Sequence, residues 1–335
     1  MAKKVSLKDI AKKVGVSTAL VSYVMNGLEK EMRVGKDIVE RINQAAKELN
    51  YQPNHIARSL RRGTTNTIGL IVADISNPFF GQLARVIEDE AAKYNYTVVF
   101  GSSDESCVKS ASLMKTLVNR QVDGLIITPT EGCQEYIISL INKEIPIVLM
   151  DRYYPDLQVN HVILDNYMAT YSAVNHILSK GYRDVSLIVY KSNLIHMQER
   201  VRGFKDAMKE KGLEDSAFVE EIGYNHIKYD MELIIEKIVK KKTKYAMLFV
   251  TNALSINGLY EIRKYNVKIP NELGIIGFDG HEAFDFFQPP LTFIEQPLEK
   301  MGKESVKILM EQIKGSKKIV HVELKHKLIE RDSCG

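Results

Sequence analysis

The sequence predicts an α/β protein in which a small all-helical head precedes two lobes built on parallel sheets. Three observations predict it. The N-terminal segment repeats apolar side chains at helical spacing and contains no strand-like run. From Ile68 onward, short β-branched runs alternate with amphipathic stretches, the pattern of parallel strands joined by crossover helices. That series breaks near Asp165, after Val162-Ile163-Leu164, and then begins again. The length of 335 residues suits two or three domains rather than one core.

In the head, Leu7, Ile10, Ala11 and Val14 fall on one helical face. Gly15 supplies the turn that ends this helix, and Ser17 suits the N-cap of the next. Leu20, Val21, Val24 and Met25 form a second short apolar face, ended by Asn26-Gly27. Two short helices joined by a tight glycine turn make a helix-turn-helix unit. A third helix, from about Gly35 to Leu49, buries Ile38, Ile42, Ala45 and Leu49. In such a unit the second helix enters the major groove with its first residues toward base edges, which puts Ser17, Thr18, Ala19, Ser22 and Tyr23 nearest the bases. A plain helical bundle is the alternative at this point.

Charge favours the first reading. Residues 1–62 hold 13 Lys/Arg against 6 Asp/Glu, whereas the remainder holds 33 against 36. A basic head on a slightly acidic body points the head at a polyanion, although a solvated charged face has the same composition. Downstream, Tyr51-Gln52-Pro53-Asn54 breaks the third helix, and His55-Ile56-Ala57-Arg58-Ser59-Leu60-Arg61-Arg62-Gly63 reads as a short basic helix before a Thr/Asn linker.

Here the sequence resembles the LacI/GalR family of bacterial transcription regulators. The matching strings are Leu7-Lys8-Asp9-Ile10-Ala11, Val14-Gly15-Val16-Ser17, Val21-Ser22, Leu49-Asn50-Tyr51-Gln52-Pro53-Asn54 and Ala57-Arg58-Ser59-Leu60. The resemblance implies a DNA-binding headpiece at 1–53, a hinge helix and linker at 54–66, and a ligand-binding domain at 67–335. It adds Asn26, Tyr51, Asn54, Ala57 and Arg58 to the DNA-facing set, and makes Leu60 an apolar wedge in the minor groove. Two departures stand out. Tyr23 occupies a place where relatives carry Arg or His, and it cannot fork to guanine. The stretch Leu28–Val34 is a few residues longer, and Arg33 there suits a phosphate contact or a solvated loop.

For the body, the resemblance implies a two-lobed periplasmic-binding-protein-like arrangement of Rossmann-like parallel sheets. One lobe takes about 67–164 and 294–321, the other about 165–293 and 322–335, with a ligand cleft between them. Open α/β sheets bind ligands beyond the carboxyl ends of their strands. By match to the family, Phe79, Phe80, Asp151, Arg152, Arg200, Phe249, Asn252 and Asp279 are the cleft residues. An aromatic and charged set of this kind suits a sugar or sugar derivative; a phosphorylated sugar or a purine is the alternative, because Ala253 replaces a usual acidic residue. One of Phe79 and Phe80 also suits the lobe core, as does Phe249, and Asp165 suits an N-cap.

Enzymatic classes find no support. No GxGxxG or GxxxxGK[ST] loop, GxSxG elbow or HExxH pair occurs. The three cysteines, Cys107, Cys133 and Cys334, have neither metal-ligand spacing nor a disulfide framework, which fits a reducing, cytoplasmic setting. No apolar run reaches the roughly 18 residues that cross a bilayer, and no secretory signal pattern opens the chain. The expected partners are double-stranded operator DNA, a small-molecule effector and a second copy of the chain, with no membrane and no cofactor. The homodimer rests on the resemblance. The expected function is a repressor whose operator affinity the effector controls.

Overall fold

A computed structural model describes residues 5–51, 64–241 and 244–335. The chain divides into two units, Met1–Thr65 and Asn66–Gly335.

The first unit holds three helices: α1 (Leu7–Val14), α2 (Thr18–Met25) and α3 (Lys36–Glu48). Ser6 and Asp9 start α1 with a capping box, the Ser6 amide donating to Asp9 Oδ2 at 2.8 Å. Gly15 ends α1 at φ +79°, a left-handed corner that costs glycine nothing. Ile10, Val21 and Ile42, one from each helix, are fully buried against one another's cluster. The Arg41 guanidinium donates to the Val14 carbonyl at 2.9 Å, satisfying an acceptor at the end of α1.

The second unit contains two six-stranded sheets. The first lobe runs β1 (Thr67–Val72), α4 (Pro78–Lys93), β2 (Thr97–Ser102), α5 (Cys107–Asn119), β3 (Gly124–Ile127), α6 (Gln134–Asn142), β4 (Ile147–Met150) and β5 (Asn160–Leu164). The second runs α7 (Asn166–Ser179), β6 (Asp184–Tyr190), α8 (Ile195–Lys209), β7 (Ala217–Ile222), α9 (Ile227–Val239), β8 (Tyr245–Phe249), α10 (Asn252–Ile262), β9 (Leu273–Phe278), α11 (Ala283–Phe286) and β10 (Thr292–Glu295). The chain then crosses back with α12 (Leu298–Ile313) and β11 (His321–Leu324) and finishes with β12 (Lys327–Ile329). The orders are β11-β5-β4-β3-β1-β2 and β12-β10-β9-β8-β6-β7, so both lobes share one topology with a late strand at the far edge. All pairings are parallel except β10 with β12. The central strands are buried along their length, as sheets covered on both faces require.

Three details correct the sequence reading. β10 pairs with β9 (Thr292 opposite Ile276), so the chain stays in the second lobe through Glu295 instead of leaving it after residue 293. β11 pairs with β5 along its whole length (His321 opposite His161), so the last crossing falls between Leu324 and Lys327 rather than after residue 321. Strand–helix alternation marks elements but does not say which sheet edge an end strand joins.

The third correction concerns sulfur. Cys107 and Cys133 form a disulfide with their Cα atoms 5.2 Å apart. They are 26 residues apart in sequence. Yet α5 and α6 pack in one cluster on one face of the first sheet, and both begin at the carboxyl ends of strands. Their first turns therefore meet. Cys334 remains a buried free thiol.

Candidate nucleic-acid interface and ligand cleft

In the head, Ser17 caps α2 by accepting from the Leu20 amide at 3.1 Å. Ser17, Thr18 and Ala19 are exposed on the first turn of α2, where a groove-reading helix presents its side chains. Ser22 and Tyr23 are half-buried one turn on. Asn26 donates from Nδ2 to the Ser22 carbonyl at 2.6 Å, which commits the amide to closing α2. Arg33 is exposed on the longer loop at φ +50°. Tyr51 is half-buried against the head core. Asn54, Ala57, Arg58 and Leu60 lie outside the described residues.

In the second unit, strand carboxyl ends from both lobes deliver charged groups to one place. Arg152, just past β4, forks onto Glu105 at 2.6 and 2.7 Å and reaches Asp151 at 3.2 Å. Arg200, on α8, donates from Nε to Asn166 Oδ1 at 2.8 Å and from its other arm to the Val250 carbonyl. Its guanidinium lies 4.0 Å over the Phe278 ring. Asp279 follows β9, accepts from Gln296 at 2.7 Å, and its carbonyl faces the Asn252 amide at 3.4 Å. Asp151, Arg152, Arg200, Asn252 and Asp279 are each less than a tenth exposed. The lobes touch around them: Asn193 donates to Glu131 at 2.8 Å, Tyr224 to Asp74 at 3.4 Å, and Leu194 of the second lobe joins the first-lobe cluster.

Burial governs the electrostatics. It pushes the Asp279 carboxyl up to about 6, against the pull of Arg200. It raises Asp151 as well, opposed by Arg152 and Arg200. Burial also weakens the Arg152 charge, but Glu105, its hydrogen bonds and Asp151 together outweigh that and hold the guanidinium firmly protonated. His196 is driven well below its ordinary range by burial, then by Arg152 and Arg200, so its imidazole is neutral. Burial keeps the Tyr190 and Tyr224 phenols protonated, reinforced by Glu105 and Asp74 across the cleft. The two phenol rings lie 4.9 Å apart. His196 Nδ1, Thr128 Oγ1, Thr130 Oγ1 and Gln296 Oε1 are buried with no protein partner among the described residues.

The structure therefore gathers Asp151, Arg152, Arg200, Asn252 and Asp279, and packs the three aromatic candidates into the lobe cores. Phe79 and Phe80 both pack in the first-lobe core, edge to face at 4.9 Å. Phe249 is wholly buried beneath α10, its ring filling the space a side chain at Gly258 would need. The aromatic rings beside the charged groups are those of Tyr190 and Tyr224. Glu105, Asn166, His196 and Gln296 also stand among these groups. Glu105 was open to discovery, since it too sits just past a strand end.

The comparisons agree with this layout. Residues 6–54 match the profile described as "Bacterial regulatory proteins, lacI family", and 65–332 match "Periplasmic binding proteins and sugar binding domain of LacI family". The chain is 31% identical over 316 residues to the HTH-type transcriptional repressor PurR of Aliivibrio fischeri, covering 92% of each. It is 33% identical over 309 residues to the ribose operon repressor of Halalkalibacterium halodurans, covering 92% of this chain and 90% of that one. A periplasmic binding protein/LacI transcriptional regulator from Alkaliphilus metalliredigens, complexed with D-xylulofuranose, superposes with a TM-score of 0.72 at 28% identity, covering 80% of this chain and 98% of that one. With matches across both units, the chain belongs to the LacI family of bacterial regulatory proteins, DNA-binding regulators of transcription.

Proposed function

We propose that this regulator is a dimeric repressor, acting in the cytoplasm, whose operator affinity is set by a neutral sugar held between the two lobes. The observation that carries the effector class is the occupancy of the two guanidiniums. Arg152 spends its fork on Glu105, and Arg200 is engaged by Asn166 and Val250. A phosphate needs a free fork or an uncapped helix N-terminus, and α7 and α10, which open at the cleft, are capped by Asp165 and Thr251. Here it would instead meet the carboxylates of Glu105, Asp151 and Asp279. A polyhydroxylated neutral ligand suits the same groups: its hydroxyls donate to carboxylates, and its C–H faces stack on Tyr190 and Tyr224. The relatives named for ribose and the complex with D-xylulofuranose support this reading, and the relative named PurR supports a purine.

In this reading paired heads take two half-sites, residues 54–62 meet between them, and Leu60 opens the minor groove. The sugar acts only through unequal affinity for the operator-bound and released states. Thermal shifts with D-ribose, D-xylulose, ribose 5-phosphate and a purine base test the effector class. The neutral sugars should raise the melting temperature; stabilisation by the phosphate or the base alone would overturn the assignment. Deleting residues 1–62 should abolish operator binding and leave the sugar shift intact. Leu60→Ala should weaken specific operator binding far more than binding to random DNA.

A further inference from the structure

We propose that Cys107 and Cys133 form a reversible oxidation site whose disulfide holds the cleft closed. Cys107 is the first residue of α5 and Cys133 caps α6. Their Cα separation of 5.2 Å lies within the span a disulfide bridges. The bridge joins two loops with different duties. The loop before Cys107 carries Glu105, which holds Arg152 in the cleft at 2.6 and 2.7 Å. Asp104 and Glu105 are both left-handed, at φ +49° and +55°, so this loop needs external support to keep its shape. The loop before Cys133 carries Glu131, which receives Asn193 from the opposite lobe, and Thr130, whose carbonyl receives the Tyr154 hydroxyl at 2.5 Å. Cys133 itself packs in the cluster that takes up Leu194 of the opposite lobe. One covalent bond thus ties the segment that positions the cleft arginine to the segment that grips the other lobe.

The chemistry needs hydrogen peroxide as oxidant. Cys107 is partly exposed in the first turn of a helix, and the thiolate of a cysteine is its attacking form. That thiolate attacks a peroxide oxygen and breaks the O–O bond, leaving a sulfenic acid and one water. Cys133, 1% exposed, then attacks the Cys107 sulfur, and the hydroxyl leaves with the thiol proton as a second water. Two thiols and one peroxide become one disulfide and two waters. A dithiol reverses the step by exchange. Cys334 stands apart: burial pushes its thiol up to about 12, so it stays protonated.

The test uses the full chain and needs neither effector nor operator, so it stands apart from the sugar assignment. Reduced protein is treated with stoichiometric hydrogen peroxide, then alkylated and analysed by peptide mass. Cys107 and Cys133 should appear joined, two hydrogens lighter, with Cys334 alkylated only after unfolding; dithiothreitol should restore both thiols. In Cys133→Ser, Cys107 should stop as a sulfenic acid trapped by dimedone. Hydrogen exchange should slow about fivefold or more on oxidation at 103–106, at 128–133 and across the cleft at 192–195. In the Cys107→Ser/Cys133→Ser double variant peroxide should change nothing. Thiols that stay open to alkylation after peroxide overturn the site. A disulfide that forms without slowing exchange at 192–195 overturns its hold on the cleft.

Discussion

Asp151 and Asp279 occupy one position of the fold twice. Each follows the fourth strand of its lobe, at φ +69° and +61°. Each donates its amide to a carbonyl of the fifth strand, Asp151 to Val162 at 3.0 Å and Asp279 to Ile294 at 2.8 Å. The left-handed corner turns the chain out of the sheet just where the ligand sits. Aspartate tolerates that corner better than most residues. The partners then differ: Asp151 meets Arg152 at 3.2 Å, Asp279 a neutral amide at 2.7 Å.

That difference gives Asp279 a pH signature. Its folded pKa of about 6 lies above the unfolded value of 3.8, so the folded protein holds this proton more tightly. Its contribution to stability is complete below pH 4 and is lost as pH rises through about 6. Asp279→Asn carries no such loss. Relative to the parent, the variant should gain on the order of 2 kcal/mol between pH 4 and pH 7. Urea midpoints at the two pH values measure it, and an unchanged difference would refute the assignment.

Arg200→Lys keeps the charge but not the planar fork that meets Asn166 and Val250 while lying on Phe278. Losing hydrogen bonds from a charged group should cost about 2 kcal/mol of stability and weaken sugar binding by about tenfold or more. Calorimetric titration and denaturant melts report the two losses separately.

Phe249 gives the opposite split. Phe249→Leu opens a cavity under α10 and should destabilise by about 1–3 kcal/mol with sugar affinity unchanged. Gly258→Ala should fail from the other side, by overpacking against the same ring. A Phe249→Leu variant of full stability that no longer binds sugar would return the ring to the ligand.

Ser17→Ala removes the α2 cap and should cost the head about 1 kcal/mol. Operator affinity should fall while the thermal shift of the body with sugar stays as in the parent. A loss confined to operators altered at one base pair would instead make Ser17 a base reader.

What the sequence made legible follows from how local each signal is. Ser17 and Asp165 cap helices through hydrogen bonds three residues long, to Leu20 and Met168, and both are readable from the string. The strand ends were readable too, because β-branched runs stop where Asp151 and Asp279 begin. Non-local matters were not. Glu105 and Arg152 are 47 residues apart, and only the sheet order brings them together. β7 carries only a weak signal in the string because it is an edge strand, half-exposed and carrying Glu220 and Glu221. Phe249 stays ambiguous in the string because a ring at a strand end can face either the helix above or the cleft, and the absent side chain at Gly258 makes room for it under α10.

The late return of the chain has a consequence during synthesis. β11 completes the first sheet, and α12 covers it with Met301, Val306 and Leu309 packed against the β1, α4 and β4 side chains. A ribosome that has finished β5 has therefore made a lobe with one face only partly covered, by α4 alone. That face must wait for more than a hundred further residues, through the whole second lobe, before its cover emerges. At the usual pace of translation the wait is on the order of ten seconds. The nascent first lobe is thus the stage of this protein's life most open to chaperones and to aggregation, and a truncation just before Leu298 should leave it there permanently.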